Sequence, residues 1–388
     1  LEHQLTPELE RLAEIRRRRH LKRDRRYRQI APEIDRVLEG FEWDLSVVPP
    51  PMRPKLADDR VRAVAWNVER GKRFDGIRAL LRDHEVLGEA DLIFLNEVDI
   101  GMGRSGNINV ARELADELGM NYVFANSHLV LAPGDWAEQD HGVDNTLAMH
   151  GNVLLSRYPI RHFEAVTCPE YKDKFHALEK RLGHKRALLC HIDLPDGPLL
   201  AAVVHLDPFA PPVHRARQMR RILSRIEEIN PRRVLLGGDL NTNTWDFGRK
   251  LGLVVNMLHK FVRFGVEGAV RQYMTPEQVF ERRLFRQFSR RGYDVDTFND
   301  RRFGTHYFDA DAPEIVDKAL EYVPGRMWEW FRPKLDPWEG FIPMRLDWFA
   351  GRGVRALSAH VVDRPMHVGE PVADHHPIAV DIALEKRR

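Results

Sequence analysis

The chain has 388 residues, 43% of them apolar and 30% charged, with a formal net charge of +2. That length supports one large core or two ordinary domains, the composition is that of a soluble globular protein, and the charge balance gives no vote for a polyanionic partner. Two cysteines, Cys168 and Cys190, exclude a disulfide-built scaffold and leave no CxxC metal motif, and no apolar run reaches the roughly eighteen residues of a membrane-spanning helix.

Residues 1–45 have helical character, opened by Thr6-Pro7-Glu8: a hydroxyl cap, a proline at the first helical position and an acid in the first turn. The run "RRRRHLKRDRRYRQ" (16–29) reads first as a solvated helix face and second as an arm for nucleic acid or anionic lipid. The proline-rich stretch 47–53 cannot continue a helix and serves as a linker. This divides the chain into a basic helical arm, 1–50, and a main domain, 58–388.

From residue 61 strands and helices alternate. "VRAVAWNVE" and "ADLIFLNEVD" read as strands, with the helix "FDGIRALLRDH" between them. "NINVARELADELGM" is an amphipathic helix ending at Gly119, and "NYVFANSHLV" is the next strand. "GNVLLSRYPI", "RALLCHIDLP", "GPLLAAVVHLDP" and "RRVLLGGDLNT" follow as strands, while 213–229 has helical spacing at Met219, Ile222 or Leu223, Ile226 and Ile229. The pair 186–194 and 198–206, joined at Pro195-Asp196-Gly197, predicts a hairpin and so a mixed sheet. Residues 245–340 form an insert of helical pieces, with capping boxes at Thr275–Gln278 and at Asp311 with Glu314. Its Trp328, Trp330, Phe331, Trp338 and Phe341 read as cover for an extra core, or as a surface that stacks on bases or faces lipid. Strand character returns in "IPMRLDWFAGRG" and "VRALSAHVVD".

Polar residues interrupt these strands near their ends: Asn67, Glu97, His205, Asp239, Asn241, Asp347, and Asp374 with His375 before "PIAV". Buried polar groups are costly unless paired, so a shared site is the economical explanation. Asn67, Glu97 and Asp374 offer hard oxygen donors for Mg²⁺ or Mn²⁺. Asp239 has the chemistry to take a proton from water, and Asn241, two residues on, points the same way. His375 or His205 can donate to oxygens where charge develops, with Asp347 orienting His375. His376 should face the opposite side. The Gly-rich stretch 101–107 lacks the lysine and hydroxyl of a nucleotide P-loop, yet Arg104, Asn107 and Asn109 could face a phosphate.

The ordered set "WNVE", "LNEVD", "GNVLLSRYPI", "VVHLDP", "GGDLNT", "RLDWF" and "ADHHPI" resembles the endonuclease/exonuclease/phosphatase (DNase I-like) superfamily over about 60–242 and 343–384. The resemblance implies a four-layered α/β sandwich of two packed mixed sheets flanked by helices, and Mg²⁺-dependent phosphoester hydrolysis by in-line water attack. It makes Asn67, Glu97 and Asp374 metal ligands, and His205, Asp239, Asn241, Asp347 and His375 catalytic. Asn152, within "GNVLLSRYPI", joins Arg104, Asn107 and Asn109 as a substrate contact. His205 resembles the histidine of the deoxyribonuclease, sphingomyelinase and tyrosyl-DNA phosphodiesterase branches rather than the tyrosine of abasic-site endonucleases. Two departures stand out: Asn96 where a glutamine is usual, and Ala373 where a serine is usual.

The expected activity is therefore a nuclease-like phosphodiesterase. A sphingomyelinase- or inositol-phosphatase-like lipid headgroup hydrolase is the alternative, and an inactive binding module the remote one. Nucleic acid and an anionic lipid surface are the partner classes in view. A groove lined by Arg215, Arg217 and Arg220 would favour the first, and a flat patch of tryptophans the second. A cytoplasmic location is expected, or a secreted one if a leader has been removed.

Overall fold

The computed structural model describes residues 1–47, 60–134, 143–177, 179–242, 250–309, 311 and 325–384. In chain order the strands are β1 (Phe41–Asp44), β2 (Arg60–Arg70), β3 (Leu92–Ile100), β4 (Asn121–Val130), β5 (Met149–Ser156), β6 (Ile160–Thr167), β7 (Arg181–Gly183), β8 (Arg186–Leu194), β9 (Gly197–Val203) and β10 (Val234–Asp239). They continue with β11 (His306–Asp309), β12 (Phe341–Met344), β13 (Asp347–Arg352), β14 (Val354–Val361), the short β15 (Met366–His367) and β16 (Glu370–Pro371), and β17 (Ile378–Leu384). The helices are α1 (Thr6–Ala13), α2 (Arg18–Leu21), α3 (Arg25–Leu38), α4 (Phe74–Asp83), α5 (Val110–Leu118), α6 (Pro212–Ile229), α7 (Lys250–Met274), α8 (Arg282–Arg290) and α9 (Gly325–Phe331).

Two mixed sheets carry the fold. One runs β1-β4-β5-β3-β2-β17-β14, with β7 on β4; the other runs β13-β10-β9-β8-β6. β2 pairs with β3, and β10 with β9, in parallel, while the other pairings in both sheets are antiparallel. The expected hairpin forms with its register one residue shorter: Leu194 lies opposite Gly197, so Pro195-Asp196 alone make the turn. Because side chains alternate along a strand, each sheet offers two apolar faces. The inner faces meet in one core that includes Ala65, Phe94, Leu154, Leu188, Ala201, Leu235, Phe349 and Val380. The outer face of the first sheet packs on α4 and α5, and that of the second on α6 and α8. In α6 the spacing that predicted the helix is the buried stripe, Met219, Ile222, Leu223 and Ile226. The result is a four-layered α/β sandwich.

The basic arm packs on the first sheet. Leu5, Leu9, Leu12, Leu21, Ile34 and Val37 are buried in the core of the first sheet, and each such aliphatic is worth roughly 1.5–3 kcal/mol when removed from water. Residues 41–44, read as helical, are the edge strand β1 on β4. The run 16–29 is not one helix: it breaks after Leu21, and the Asp24 side chain caps α3 by accepting from Tyr27 N at 2.7 Å. Most of the proline-rich linker lies outside the described residues.

The insert is woven in rather than appended. Phe298 reaches the core between the sheets so closely that a Cβ on Gly351 would lie 2.1 Å from its ring. A smaller core of Val270, Tyr273, Leu335, Ile342, Met344 and Leu346 takes Trp328 and Trp338 against it. Those two tryptophans are cover, while Trp330 is 63% exposed and the Phe331 side chain is not described. Thr275 makes no capping bond; its hydroxyl donates back to Arg271 O at 2.9 Å. Glu314 of the second expected capping box lies outside the described residues. Cys168 and Cys190 are buried free thiols, and among the described residues no helix is long and apolar enough to cross a membrane.

One buried group under the arm sets an acid limit. His128, on β4, has Nε2 3.4 Å from Glu170 Oε1. Burial pushes its pKa down from 6.5 to about 3, with Glu170 opposing. Between those values the unfolded chain binds a proton that the native chain refuses, so stability is whole above pH 6.5 and falls as pH drops. The expected contribution is a loss of about 1.4 kcal/mol per pH unit. His128→Gln should flatten the pH dependence of denaturant unfolding between pH 6.5 and about 5. An equal slope in the variant would refute this.

Candidate active site

Asp239 ends β10 opposite Asp347 on β13. Both of its carboxylate oxygens accept hydrogen bonds. Oδ1 accepts the Asn241 backbone N–H at 2.7 Å, and Oδ2 accepts from the Asn241 amide at 2.8 Å and the Asn67 amide at 3.3 Å. His205 Nε2 lies 3.5 Å from the same oxygen and 3.7 Å from Glu97 Oε1, and His375 Nε2 lies 4.0 Å from it. On its other side His375 Nδ1 meets Asp347 Oδ2 at 2.8 Å. Strand tips from both sheets thus converge on one buried cluster, with Trp66 Nε1 donating to His375 O at 2.9 Å to fix the last loop.

The backbone is shaped for this. Gly238 has φ +133°, and a Cβ there would lie 2.2 Å from Val204 O and 2.7 Å from Asn96 Oδ1, so the position takes only glycine. Asn241 and Glu97 both sit in the left-handed region, at φ 48° and 53°, breaking strand alternation where their side chains turn inward. Asn96, the departure from the usual glutamine, accepts the Asp239 backbone N–H at 2.8 Å and donates to Asn152 Oδ1 at 2.8 Å. It holds the central acid from behind.

The electrostatics follow from burial and crowding. Burial, with Asp347 adding, pushes Asp239 up to about 7 against the pull of His375 and Lys185. Burial would lower His375, but Asp347, Asp239 and Asp374 outweigh it and hold the imidazole well above its usual range, in the protonated form. Burial and Lys185 push His205 well below, keeping it neutral. Glu97 is held well below the usual carboxylate range: burial opposes this, and the positive charges around it, Arg70 foremost among the groups that stay ionised, prevail.

Two members of this field carry no motif. Lys185 is buried, and burial takes its pKa down to about 7 although Glu97, Asp207 and Asp239 raise it. Glu69 is pushed up by burial and by the charges of Asp374 and Glu97, while its ion pair with Lys72 pulls it down. It therefore sits among the acids expected to hold a cation. Its spacing two residues after Asn67 is the one signal the sequence offered.

Of the expected metal ligands, Asn67 is buried against Asp239, Glu97 is partly buried beside His205, and Asp374 is exposed at the rim. Among the described residues the three-member acid and histidine groups close enough to share one ion are Asp239–Asp347–His375 and His306–Asp374–His375. Neither group contains Glu97 or Glu69, although Glu69 feels the charges of both Asp374 and Glu97; the oxygen donors of Glu97, Glu69, Asp374 and Asn67 are of the type that suits Mg²⁺ or Mn²⁺.

The expected substrate contacts are placed elsewhere. Arg104 has a solvent-closed side chain bound to Asp99 at 2.6 Å and to Glu179. Asn107 staples the loop, donating to Asp144 O at 2.8 Å and accepting Thr146 N at 3.1 Å. Asn109 caps α5 by accepting Arg112 N at 3.1 Å. Asn152 is buried, donating to Arg186 O at 2.8 Å. All four are engaged in hydrogen bonds within the scaffold, Asn152 directly behind Asn96 and Asp239. Arg215 leaves the expected groove as well: it is buried in an ion pair with Glu281, while Arg217 and Arg220 are exposed. His376 turns away from the cluster, stacked on Tyr307 at 4.8 Å and accepting Arg364 N at 3.1 Å. A cleft of about 400 Å³ lined by Glu277, Arg282, Arg286, Tyr293 and Arg301 lies in the insert and shares no side chain with this cluster.

Residues 64–375 match the family model described as Endonuclease/Exonuclease/phosphatase family. Comparison with curated proteins gives no match. Among solved structures, an endonuclease/exonuclease/phosphatase from Beutenbergia cavernae is 16% identical, with a TM-score of 0.50 over 84% of this chain and 72% of that one. A Bacteroides vulgatus structure of the same description is 14% identical (TM-score 0.44, 84% and 99% covered). A 3′-5′ exonuclease from Neisseria meningitidis is 12% identical (TM-score 0.45, 84% and 100% covered).

Proposed function

The chain belongs to the endonuclease/exonuclease/phosphatase family, and from that premise we propose that it is a divalent-metal-dependent phosphodiesterase of nuclease type. The observation that carries this reading is the Asp239 cluster. A buried carboxylate, two amides and two imidazoles of opposite protonation tendency are held within 4.0 Å of one oxygen, Asp239 Oδ2. Asp239 accepts the proton of the attacking water, and the Asn241 and Asn67 amides fix the carboxylate's orientation. His375, locked by Asp347, donates to the phosphoryl oxygens as charge builds on them. Glu97, Glu69, Asp374 and Asn67 would hold Mg²⁺ or Mn²⁺, which when bound neutralises phosphate charge.

Two surface features bear on substrate. Arg16, Arg17, Arg19, Lys22, Arg23 and Arg25 are exposed on the arm. Next to them Arg18 Nη1 contacts Asp173 at 2.7 Å, and the neighbouring Tyr171 and Lys174 reach Asp207, two residues beyond His205. That basic surface leads toward the pocket and suits a phosphate backbone. Leu5, Leu9, Leu12, Leu21, Ile34 and Val37 of the arm are buried in the core, which leaves Trp43, 54% exposed, as its large exposed apolar side chain among the described residues. The lipid headgroup reading draws on exposed Val262, Phe264 and Trp330 in the insert and stands second.

The test is release of nitrophenol from bis(p-nitrophenyl) phosphate at millimolar Mg²⁺ or Mn²⁺. EDTA should abolish release, and excess metal should restore it. Parallel assays on DNA, RNA, sphingomyelin, inositol phosphates and cyclic nucleotides rank the substrates. Hydrolysis indifferent to chelator would overturn the metal assignment, and turnover of sphingomyelin but not of DNA or RNA would overturn the nuclease assignment.

A further inference from the structure

We propose that His306, delivered by the insert, is a substrate-contacting residue that binds the phosphoryl group beside His375. This rests on the reading of the pocket as a phosphodiesterase site.

Among the described residues the insert meets the cluster at Thr305 and His306. Thr305 is buried and ties three site elements together. Its hydroxyl accepts the backbone N–H groups of Leu346 (2.9 Å) and Asp347 (3.0 Å), and its carbonyl accepts that of His376 (2.8 Å). The next residue, His306, forms an isolated antiparallel bridge with His375. The two imidazoles lie 4.9 Å apart, tilted by 50°. One ring nitrogen of His306, a carboxylate oxygen of Asp374 and a ring nitrogen of His375 all fall within 4.8 Å of one another.

That spacing separates groups which do not bond to each other but converge on a common volume. Asp347 holds His375 Nδ1, which leaves Nε2 to face the pocket. Among the described residues His306 Nδ1 is buried without a hydrogen-bond partner, while the ring also meets the Asp374 backbone. A buried ring nitrogen left unpaired is costly, and a phosphoryl oxygen held between the two imidazoles would satisfy it. The chemistry that fits is a tetrahedral oxyanion, accepting from two N–H donors on one side while the acids and cation occupy the other. As a residue His306 is only partly buried, so a ligand can approach its side chain.

The test compares His306→Ala and His306→Gln with the wild-type chain, using bis(p-nitrophenyl) phosphate as substrate and inorganic phosphate as competitive inhibitor. The alanine variant should raise both KM and the phosphate inhibition constant about ten-fold, with kcat changed less than about three-fold, because a ground-state contact is lost. Glutamine, which keeps a donor, should recover most of that loss. Unchanged KM and inhibition constant would overturn the proposal. So would a loss in kcat alone that raised Zn²⁺ or Mn²⁺ reverses, which would make His306 a metal ligand. A thermal melt identifies any loss that is merely structural, and the glutamine variant then decides. If the wild-type chain hydrolyses no phosphodiester, the functional reading fails rather than this one.

Discussion

Asp239→Asn is expected to cut kcat/KM on an aryl phosphodiester by roughly a thousand-fold while the fold stays intact. The substitution is nearly isosteric, so β10 keeps its pairing with β13 and β9. What changes is the acceptor. The carboxylate now takes three N–H groups, from Asn241 twice and from Asn67, and the asparagine must turn one of its own N–H groups toward that donor set. A buried donor facing donors costs about 1–3 kcal/mol, a shift visible in a melt but small beside the catalytic loss. His375 also loses one of the carboxylates that hold its pKa up. Removal of the proton acceptor and weakening of the donor therefore act together. Asn241→Ala removes an orienting amide and leaves the carboxylate, so its loss should be the smaller. If Asp239→Asn retained a tenth of the wild-type kcat with metal present, water activation at this carboxylate would be ruled out.

The sites that could be read from the sequence were those where local pattern and chemistry coincide. An acid or amide ending an apolar run marks a strand tip, and two sheets packed face to face bring such tips together. Asn67, Glu97, His205, Asp239, Asn241, Asp347, Asp374 and His375 are marked that way, and the structure gathers all but Glu97 and Asp374 directly around the Asp239 carboxylate, with Glu97 beside His205 and Asp374 beside His375. His306 is not, because nothing in "FGTHYFD" sets it apart; its meaning comes from a bridge to His375 across a long stretch of chain. Lys185 was missed for the opposite reason. A lysine at the start of a strand reads as a solvated end, and only the packed sandwich shows it buried among acids. The proline-rich stretch suggested a boundary, yet β1 before it pairs with β4 after it, which no local rule reveals.

Arg104→Ala is expected to lower stability by about 3–5 kcal/mol and to leave KM unchanged at temperatures below its melt. In sequence a glycine-flanked arginine suits a phosphate, but its partner Glu179 is 75 residues away. Both Arg104 and Asp99 have side chains closed to solvent, with Nε to Oδ2 at 2.6 Å and Nη2 to Oδ1 at 3.1 Å. His150 Nδ1 approaches Asp99 Oδ1 at 2.8 Å, yet burial lowers its pKa, so it cannot replace the lost charge in full. Truncation leaves Glu179 with Arg181 but strands the buried Asp99, and that uncompensated charge is the cost, not the pair's net worth. The exposed pair Arg271–Glu267 is the control: Arg271→Ala should change stability by no more than about 0.5 kcal/mol. Denaturant unfolding and steady-state kinetics on the same preparations separate the outcomes. A ten-fold rise in KM with an unshifted melt would return Arg104 to the substrate and refute the scaffold role derived from its burial.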